Sequence, residues 1–368
     1  MESKIFCANP RLQFLNQQFE IKEAINQVLN SESYILGTEV KAFETEFAEY
    51  IGTDYAIGVN SGTDALILAL KSLGIGPGDE VITPSHTAVA TVSAIVTVGA
   101  VPIYVDIDPV TYTIDLTQID ELISKRVRAV VAVHLYGHPC DMDSIQKFTK
   151  KNGLFLIEDC AQAHGAKWKG KNVGTFGEIG CFSFYPTKNL GGIGDGGAIT
   201  TNIKSVALKI EMLRQYGWDG SRESQIISGV SRLDEIQAAV LRVKLKKLDE
   251  SNQKRRKIAE FYCSSLSKLD LILPSHSNYI EHAFHLFVIQ SLDRDNLMQK
   301  LNDLGIYPGI HYKSPVHLQP AYRDSKILRG NRLRVTETIS DKILSLPMYP
   351  ELTEPEIQRV VEGILNVR

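Results

Sequence analysis

The sequence predicts an α/β fold, with a large domain built on a mostly parallel sheet between helices and a smaller α+β domain at the C-terminus. Three observations carry this. Short apolar runs alternate with amphipathic helical segments from residue 55 onward. The runs are near-continuous in Val, Ile and Leu, as strands covered on both faces are. The length of 368 residues allows two or three domains at roughly 150 residues each. With 43% hydrophobic and 23% charged residues the chain is ordinary globular material, not disordered, collagen-like or coiled coil as a whole.

The elements follow in order. Residues 18 to 50 read as helices interrupted near YILGTEV. Tyr55 to Val59 is a strand, Asn60 to Asp64 a polar turn, and Ala65, Leu66, Ala69, Leu70 and Leu73 mark one face of a helix. The unit recurs as GDEVITPS, a helix over Ala88–Val98 and VPIYVDID, and again as VRAVVAVHLYG, a helix over Met142–Lys151 and LFLIEDCA. Such alternation implies right-handed crossovers and a parallel sheet. Between Gly174 and Gly197 the rhythm breaks into a Gly-rich stretch, with CFSFYP and GGAIT as short strands. A single long helix is expected from Arg232 to about Leu269, ending in the charged run KLKKLDESNQKRRK, which reads as a solvated face. The expected division is residues 1–249 for the large domain and 250–368 for the small one.

Several function classes drop out. Forty Lys and Arg against 43 Asp and Glu give a net charge of −3, without the basic excess of a nucleic-acid binder. Cys7, Cys140, Cys160, Cys181 and Cys263 form no C-x-x-C pair, which argues against a disulfide scaffold or a cysteine metal site and fits a reducing cytoplasm. The N-terminal residues lack a signal pattern, and the most apolar stretch, Thr91 to Val105, is broken by Gly99 and Pro102. Neither a nucleic acid nor a membrane is expected as a partner.

Three features stand at the ends of the expected strands, where open parallel sheets bind ligands. In Ser61–Ala65 (SGTDA), glycine allows close approach, two hydroxyls are present and a helix N-terminus follows, which suits a phosphate; an ordinary helix cap reads the same way. Glu158 and Asp159 close the run LFLI, and a carboxylate at that depth needs a partner, such as a protonated ring nitrogen or a basic side chain. In CFSFYPTKNLGGIGDGGA, Lys188 sits among glycines, and a partly desolvated lysine can form a Schiff base; a flexible loop with a solvated lysine is the plainer reading. The order is not that of a P-loop, because the lysine precedes its glycines. Together the three match the needs of pyridoxal 5'-phosphate: a phosphate site, a group that keeps the ring nitrogen protonated, and an amine.

At this point the sequence resembles the sugar-nucleotide aminotransferases of the DegT/StrS type, pyridoxal-phosphate enzymes of fold type I. The likeness runs from YILGTEV through SGTDALILAL, GDEVITPSHT, VHLYGHPCDM, EDCAQAHGA, CFSFYPTKNLG and RLDEIQAAVL to LSLPMYP. It implies that Lys188 is the Schiff-base lysine, that Asp159 pairs with the pyridinium nitrogen, that Gln162 contacts the ring hydroxyl, and that Gly62, Thr63 and Ser183 hold the phosphate. It puts His86 over the ring face, and His311, Tyr312 and His317 resemble a substrate-side segment. Tyr216, with Trp218, could line the sugar-nucleotide entrance or be packed aromatics. Two positions depart from the family pattern. Ala88 stands where members carry an aromatic, and Val230 where many carry an Asn that reaches the partner subunit's phosphate, leaving Ser231 or Ser228 as stand-ins. The resemblance further implies a homodimer, glutamate as amino donor, and a nucleotide-linked keto-sugar as acceptor. The GGIGDGGA segment looks like enzymes that aminate C3, on a dTDP-linked 6-deoxy sugar, with C4 or a UDP sugar as the alternative. Relatives that dehydrate keto-sugars replace the lysine or add iron–sulfur cysteines, and this chain does neither. No metal site is expected.

Overall fold

The alternating pattern becomes a seven-stranded sheet. In the computed structural model, which describes residues 4–117, 119–275, 277–323 and 333–367, the chain begins with β1 (Ile5–Phe6), α1 (Pro10–Asn16), α2 (Gln18–Leu29) and α3 (Thr38–Ile51). Then come β2 (Tyr55–Val59), α4 (Gly62–Ser72), β3 (Glu80–Pro84), α5 (Val89–Thr97), β4 (Val101–Val105), β5 (Val127–Val133), α6 (Met142–Asn152) and β6 (Phe155–Asp159). After the small strands β7 (Lys167–Trp168) and β8 (Lys171–Asn172) follow β9 (Ile179–Ser183), β10 (Gly197–Thr201) and α7 (Lys204–Leu213). The sheet order is β2-β10-β9-β6-β5-β3-β4, parallel at every neighbouring pair except the two that β10 makes. β10 runs the other way because loop 184–196 turns straight back from β9, placing Gly197 opposite Ser183.

Helices cover both faces, as near-continuous apolar strands require. On one face Ile57, Val81, Val131, Ile157 and Ile199 pack with Leu66 and Leu70 of α4 and Ile210 of α7. On the other, Ala56, Phe182 and Ala198 meet Phe43 and Phe47 of α3, and further along Ile82, Val130 and Ala132 meet Met142 and Ile145 of α6. No helix among the described residues is long and apolar enough to cross a membrane.

The helix expected from Arg232 to Leu269 is two: α8 (Glu235–Leu245) and α9 (Leu248–Leu266). Lys247, at φ −111° and ψ 2°, breaks the helix between them. The break lets α8 bury Ala238 and Leu241 against the sheet side while α9 carries Ile258, Tyr262 and Leu266 into a separate core. That second core contains β12 (Phe287–Gln290), which pairs with β14 (Ile343–Leu346), after β11 (Ile280–Glu281), α10 (Arg294–Asp303) and β13 (Ile306–Tyr307). It also contains a residue from the far end of the chain. β1 pairs in parallel with β13, and Ile5 is fully buried beside Tyr262, Phe287 and Leu344. The first residues therefore pack with the small unit, although the expected division places them in residues 1–249.

Glu235 joins α8 to α3. Its carboxylate, 2% exposed, accepts from the backbone N–H groups of Gly37 (2.7 Å), Glu39 (2.9 Å) and Val40 (3.0 Å), the unpaired donors at the start of α3. Replacing Glu235 with Ala strands three donors in a dry place. We expect a loss of about 3 kcal/mol in unfolding free energy, read as a lowered urea midpoint; an unchanged midpoint contradicts this role.

Candidate active site

The carboxyl ends of the parallel strands open onto a cavity of about 350 Å³. Gly62, Thr63, Asp159, Gln162, Ser183 and Lys188 all line it, and His311 and Tyr312 reach it from the small unit. The residues from Gly62 to Lys188 meet here because the parallel strands all end on this side of the sheet, and the small unit adds His311 and Tyr312.

At one end, β2 leads into α4. Ser61 Oγ accepts from Asp64 N at 3.1 Å, so the cap reading of SGTDA is correct for Ser61. The anion reading is compatible with it. A Cβ on Gly62 would stand 2.6 Å from Ser183 Cβ, so only glycine lets the helix start touch the end of β9. That contact brings the first N–H groups of α4 and the Thr63 and Ser183 hydroxyls to one spot, a cradle that fits a phosphate. Lys188 is the only Lys or Arg among the described residues lining the cavity, so an anion here is held by helix dipole and hydroxyls.

Strand pleat separates the two acids of β6. Glu158 turns away from the cavity and is fully used, accepting from Gly174 N (2.8 Å), Phe176 N (2.7 Å), Gly177 N (2.9 Å) and the His134 ring (3.1 Å). The His134 Nδ1 accepts from Cys140 N at 3.0 Å, which leaves the proton on Nε2, facing Glu158. Asp159, 4% exposed, faces the cavity; its Oδ1 accepts from Ala161 N (3.1 Å) and its Oδ2 from the Thr91 hydroxyl (2.7 Å). Each oxygen keeps a lone pair, which suits a protonated ring nitrogen. Gln162 is pinned by its amide: Oε1 accepts from Tyr136 N at 2.7 Å and Nε2 donates to Tyr312 Oη at 3.0 Å, with one N–H to spare.

Lys188 lies in the loop between β9 and β10. The loop is tied down just after it, by Asn189 Nδ2 to Asn252 Oδ1 and Ala283 O (both 2.8 Å) and by Lys244 Nζ to Gly191 O (2.6 Å). Burial lowers the Lys188 ammonium to about 8, and the charge of Asp159 opposes this. Histidines surround it. Burial, then the charge of Lys188, pushes His311 down to about 4 and His164 to about 3, and holds His285 well below its usual value. All three are neutral imidazoles at neutral pH.

Three expected site residues do not reach the cavity. His86 is 1% exposed and turned into the core, with Nε2 2.7 Å from Tyr136 Oη; Thr87 and Ala88 form the wall in its place. The single hydroxyl proton of Tyr136 goes to the His311 carbonyl, so His86 donates to Tyr136, and the His86 ring covers nothing in the cavity. His317 is spent on Ser85 Oγ (2.6 Å) and Glu337 (3.3 Å), tying the small unit to the end of β3. Tyr216 lines a separate shallow depression with Ser224 and Ile226 to Ser228. The stand-in serines are also engaged within their own chain: Ser231 Oγ donates to Asp64 Oδ2 (2.7 Å) and Ser228 Oγ to Leu213 O (2.6 Å). Tyr185, Thr187, Asp195 and His285 line the cavity without having been singled out. For Tyr185 and Thr187 the signal was their place beside Lys188; His285 carried none.

A cradle only glycine permits, a buried carboxylate with free lone pairs and a lysine of lowered basicity fit pyridoxal phosphate, and they define a pyridoxal-phosphate-dependent transferase of fold type I. The comparisons narrow the class. Residues 16–365 match the DegT/DnrJ/EryC1/StrS aminotransferase family, and the chain belongs to it. It is 43% identical over 363 residues to the dTDP-3-amino-3,4,6-trideoxy-alpha-D-glucose transaminase of Streptomyces venezuelae, covering 96% of each. It is 45% identical over 350 residues to the dTDP-3-amino-3,6-dideoxy-alpha-D-galactopyranose transaminase of Aneurinibacillus thermoaerophilus, covering 95% of this chain and 96% of that one. Among solved structures, DesV of S. venezuelae in complex with a ketimine intermediate superposes with a TM-score of 0.96 at 41% identity, covering 99% of this chain and 98% of that one. The protein is a pyridoxal-phosphate-dependent aminotransferase.

The lowered basicity of Lys188 has a direct readout. Below about pH 8 the side chain is an unreactive ammonium; above it, a free amine. In cofactor-free protein, trace acylation followed by peptide mass spectrometry should show Lys188 half-maximally reactive near pH 8, while exposed lysines lag toward roughly pH 10. A Lys188 profile that coincides with theirs contradicts the assignment.

Proposed function

We propose that this chain transfers the amino group of glutamate to C3 of a dTDP-linked 3-keto-6-deoxyhexose, working as a homodimer. The observation that carries the reading is the convergence of Lys188, Asp159 and the Gly62–Thr63 helix start on one cavity. The choice of C3 and dTDP rests on the two transaminase relatives described above, each a dTDP-3-amino sugar enzyme, together with the GDGG segment at Gly194–Gly197.

In this reading the N–H groups of Gly62 and Thr63 and the hydroxyls of Thr63 and Ser183 hold the cofactor phosphate. Asp159 keeps the ring nitrogen protonated, and the spare N–H of Gln162 is directed to the ring hydroxyl. When bound, pyridoxal phosphate supplies an electron sink for the negative charge left as a proton departs from the amino carbon. Lys188 Nζ takes that proton from Cα of the donor, and in the second half of the cycle it returns a proton to the sugar carbon. With a basicity near 8 it exists as both amine and ammonium at neutral pH, as a group that both accepts and donates must. The neutral rings of His285 and His311 line the cavity without adding positive charge, so it is burial that lowers the basicity of Lys188. His311 and Tyr312 are the side chains offered to the sugar. Support for the dimer comes from Phe19, Leu29, Tyr34 and Ile35, all exposed apolar side chains in one short stretch of chain.

Incubation with glutamate and a panel of dTDP- and UDP-linked 3-keto and 4-keto sugars, read by mass spectrometry, should give amination of the dTDP-3-keto member. Lys188→Ala should lower that rate by at least about a thousandfold. Product from a 4-keto sugar alone, or full turnover by the variant, contradicts the reading. Sedimentation velocity should show a species of twice the chain mass; a monomer at micromolar concentration removes the dimer.

A further inference from the structure

The Thr91 hydroxyl stands apart from the other buried hydroxyls near the site. A helical threonine ordinarily turns its hydroxyl back to a carbonyl three or four residues earlier. Thr91, in the first turn of α5 and 1% exposed, instead donates at 2.7 Å to Asp159 Oδ2, 68 positions away in sequence. An ionised carboxylate only accepts, so the one hydroxyl proton of Thr91 points at Asp159 and its oxygen is left free as an acceptor. Thr87, four residues earlier and just ahead of the helix, is 2% exposed and places its own hydroxyl 3.0 Å from that oxygen. The polar chain therefore has a fixed sense, from Thr87 to Thr91 to Asp159.

Asp159 is held from both sides. Ala161 N fixes Oδ1 at 3.1 Å and Thr91 fixes Oδ2, which sets the plane of the carboxylate, and both donors are neutral. Among the described residues no ion pair engages Asp159, so its full charge remains for whatever enters the cavity. A valine would fill the same space and needs no partner. Packing thus accounts for the shape of Thr91 and leaves its hydroxyl unexplained unless it serves the carboxylate.

We propose that Thr91 is a positioning residue, whose hydroxyl, backed by Thr87, orients the Asp159 carboxylate toward the ring nitrogen of the cofactor. This rests on the reading of Asp159 given under Proposed function, and the test separates the two. Cofactor-stripped wild type, Thr91→Val, Thr91→Ala and Thr91→Ser are titrated with pyridoxal phosphate and with its 1-deaza analogue, in which C–H replaces the ring nitrogen. Binding is followed by absorbance, and folding by circular dichroism.

Wild type should prefer the natural cofactor. Thr91→Val and Thr91→Ala should reduce that preference by roughly tenfold, the worth of one hydrogen bond to a charged group, while Thr91→Ser keeps it. In the loaded enzymes, the same two variants should lower kcat and leave KM for the sugar in place. If both ligands weaken equally in Thr91→Val, so that the preference persists, Thr91 is structural and the proposal falls. If wild type shows no preference at all, the assignment of Asp159 fails first.

Discussion

A carboxylate that is 4% exposed needs partners, and the site is organised by supplying them to Asp159 without cancelling its charge. An arginine beside it would satisfy the group and occupy the direction a ligand must use. Ala161 N and the Thr91 hydroxyl instead clamp one oxygen each and leave lone pairs open. Its neighbour shows the contrast. Glu158 is one residue away, and the pleat turns it to the opposite face, where three backbone donors and His134 use it up in holding residues 174 to 177. Two adjacent acids have unrelated jobs, and the difference between them is only which face of β6 each one meets.

Lys188 is governed by the same logic of few charges in a dry place. The nearest titratable rings, His164, His285 and His311, are all held neutral by burial and by the lysine itself. A proton on any of them would drive Lys188 further toward the amine, and a lysine proton keeps them bare, so the cluster settles with at most one positive charge. The near-zero net charge of the chain fits a site that meets anions locally. The start of α4 and two hydroxyls form the phosphate cradle, and no second cation among the described residues lines the cavity.

The small unit completes the cavity and is latched to the sheet domain by backbone as much as by side chains. The Tyr136 hydroxyl donates to the His311 carbonyl, Val316 N donates to Ser85 O, and Gln162 donates to Tyr312. His86, expected over the cofactor ring, and His317, expected on the substrate side, both serve this latch: one supports Tyr136, the other grips Ser85. Their ring nitrogens face protein because the segment after β3 runs along the seam between the two units.

By itself the sequence determined the alternation of strands and helices, the parallel sheet, and the residue types that stand at strand ends. Each of these is written in local periodicity, which a strand or helix reads over a few residues. Lys188, Asp159, Gly62 and Thr63 stood out as strand-end residues, whereas Gln162 and Ser183 came from the family resemblance; all six line the cavity. What the tertiary structure decided is where side chains from different elements point. It sent His86 into the core and Tyr216 to a separate depression, broke one long helix at Lys247 and carried Ile5 into the small unit's core. It also brought Thr91 to Asp159; Thr91 stands in the first turn of α5 and Thr87 just ahead of that helix, but nothing local says which strand their hydroxyls meet. Contacts between elements depend on the packing of the whole sheet, and no window of sequence contains it.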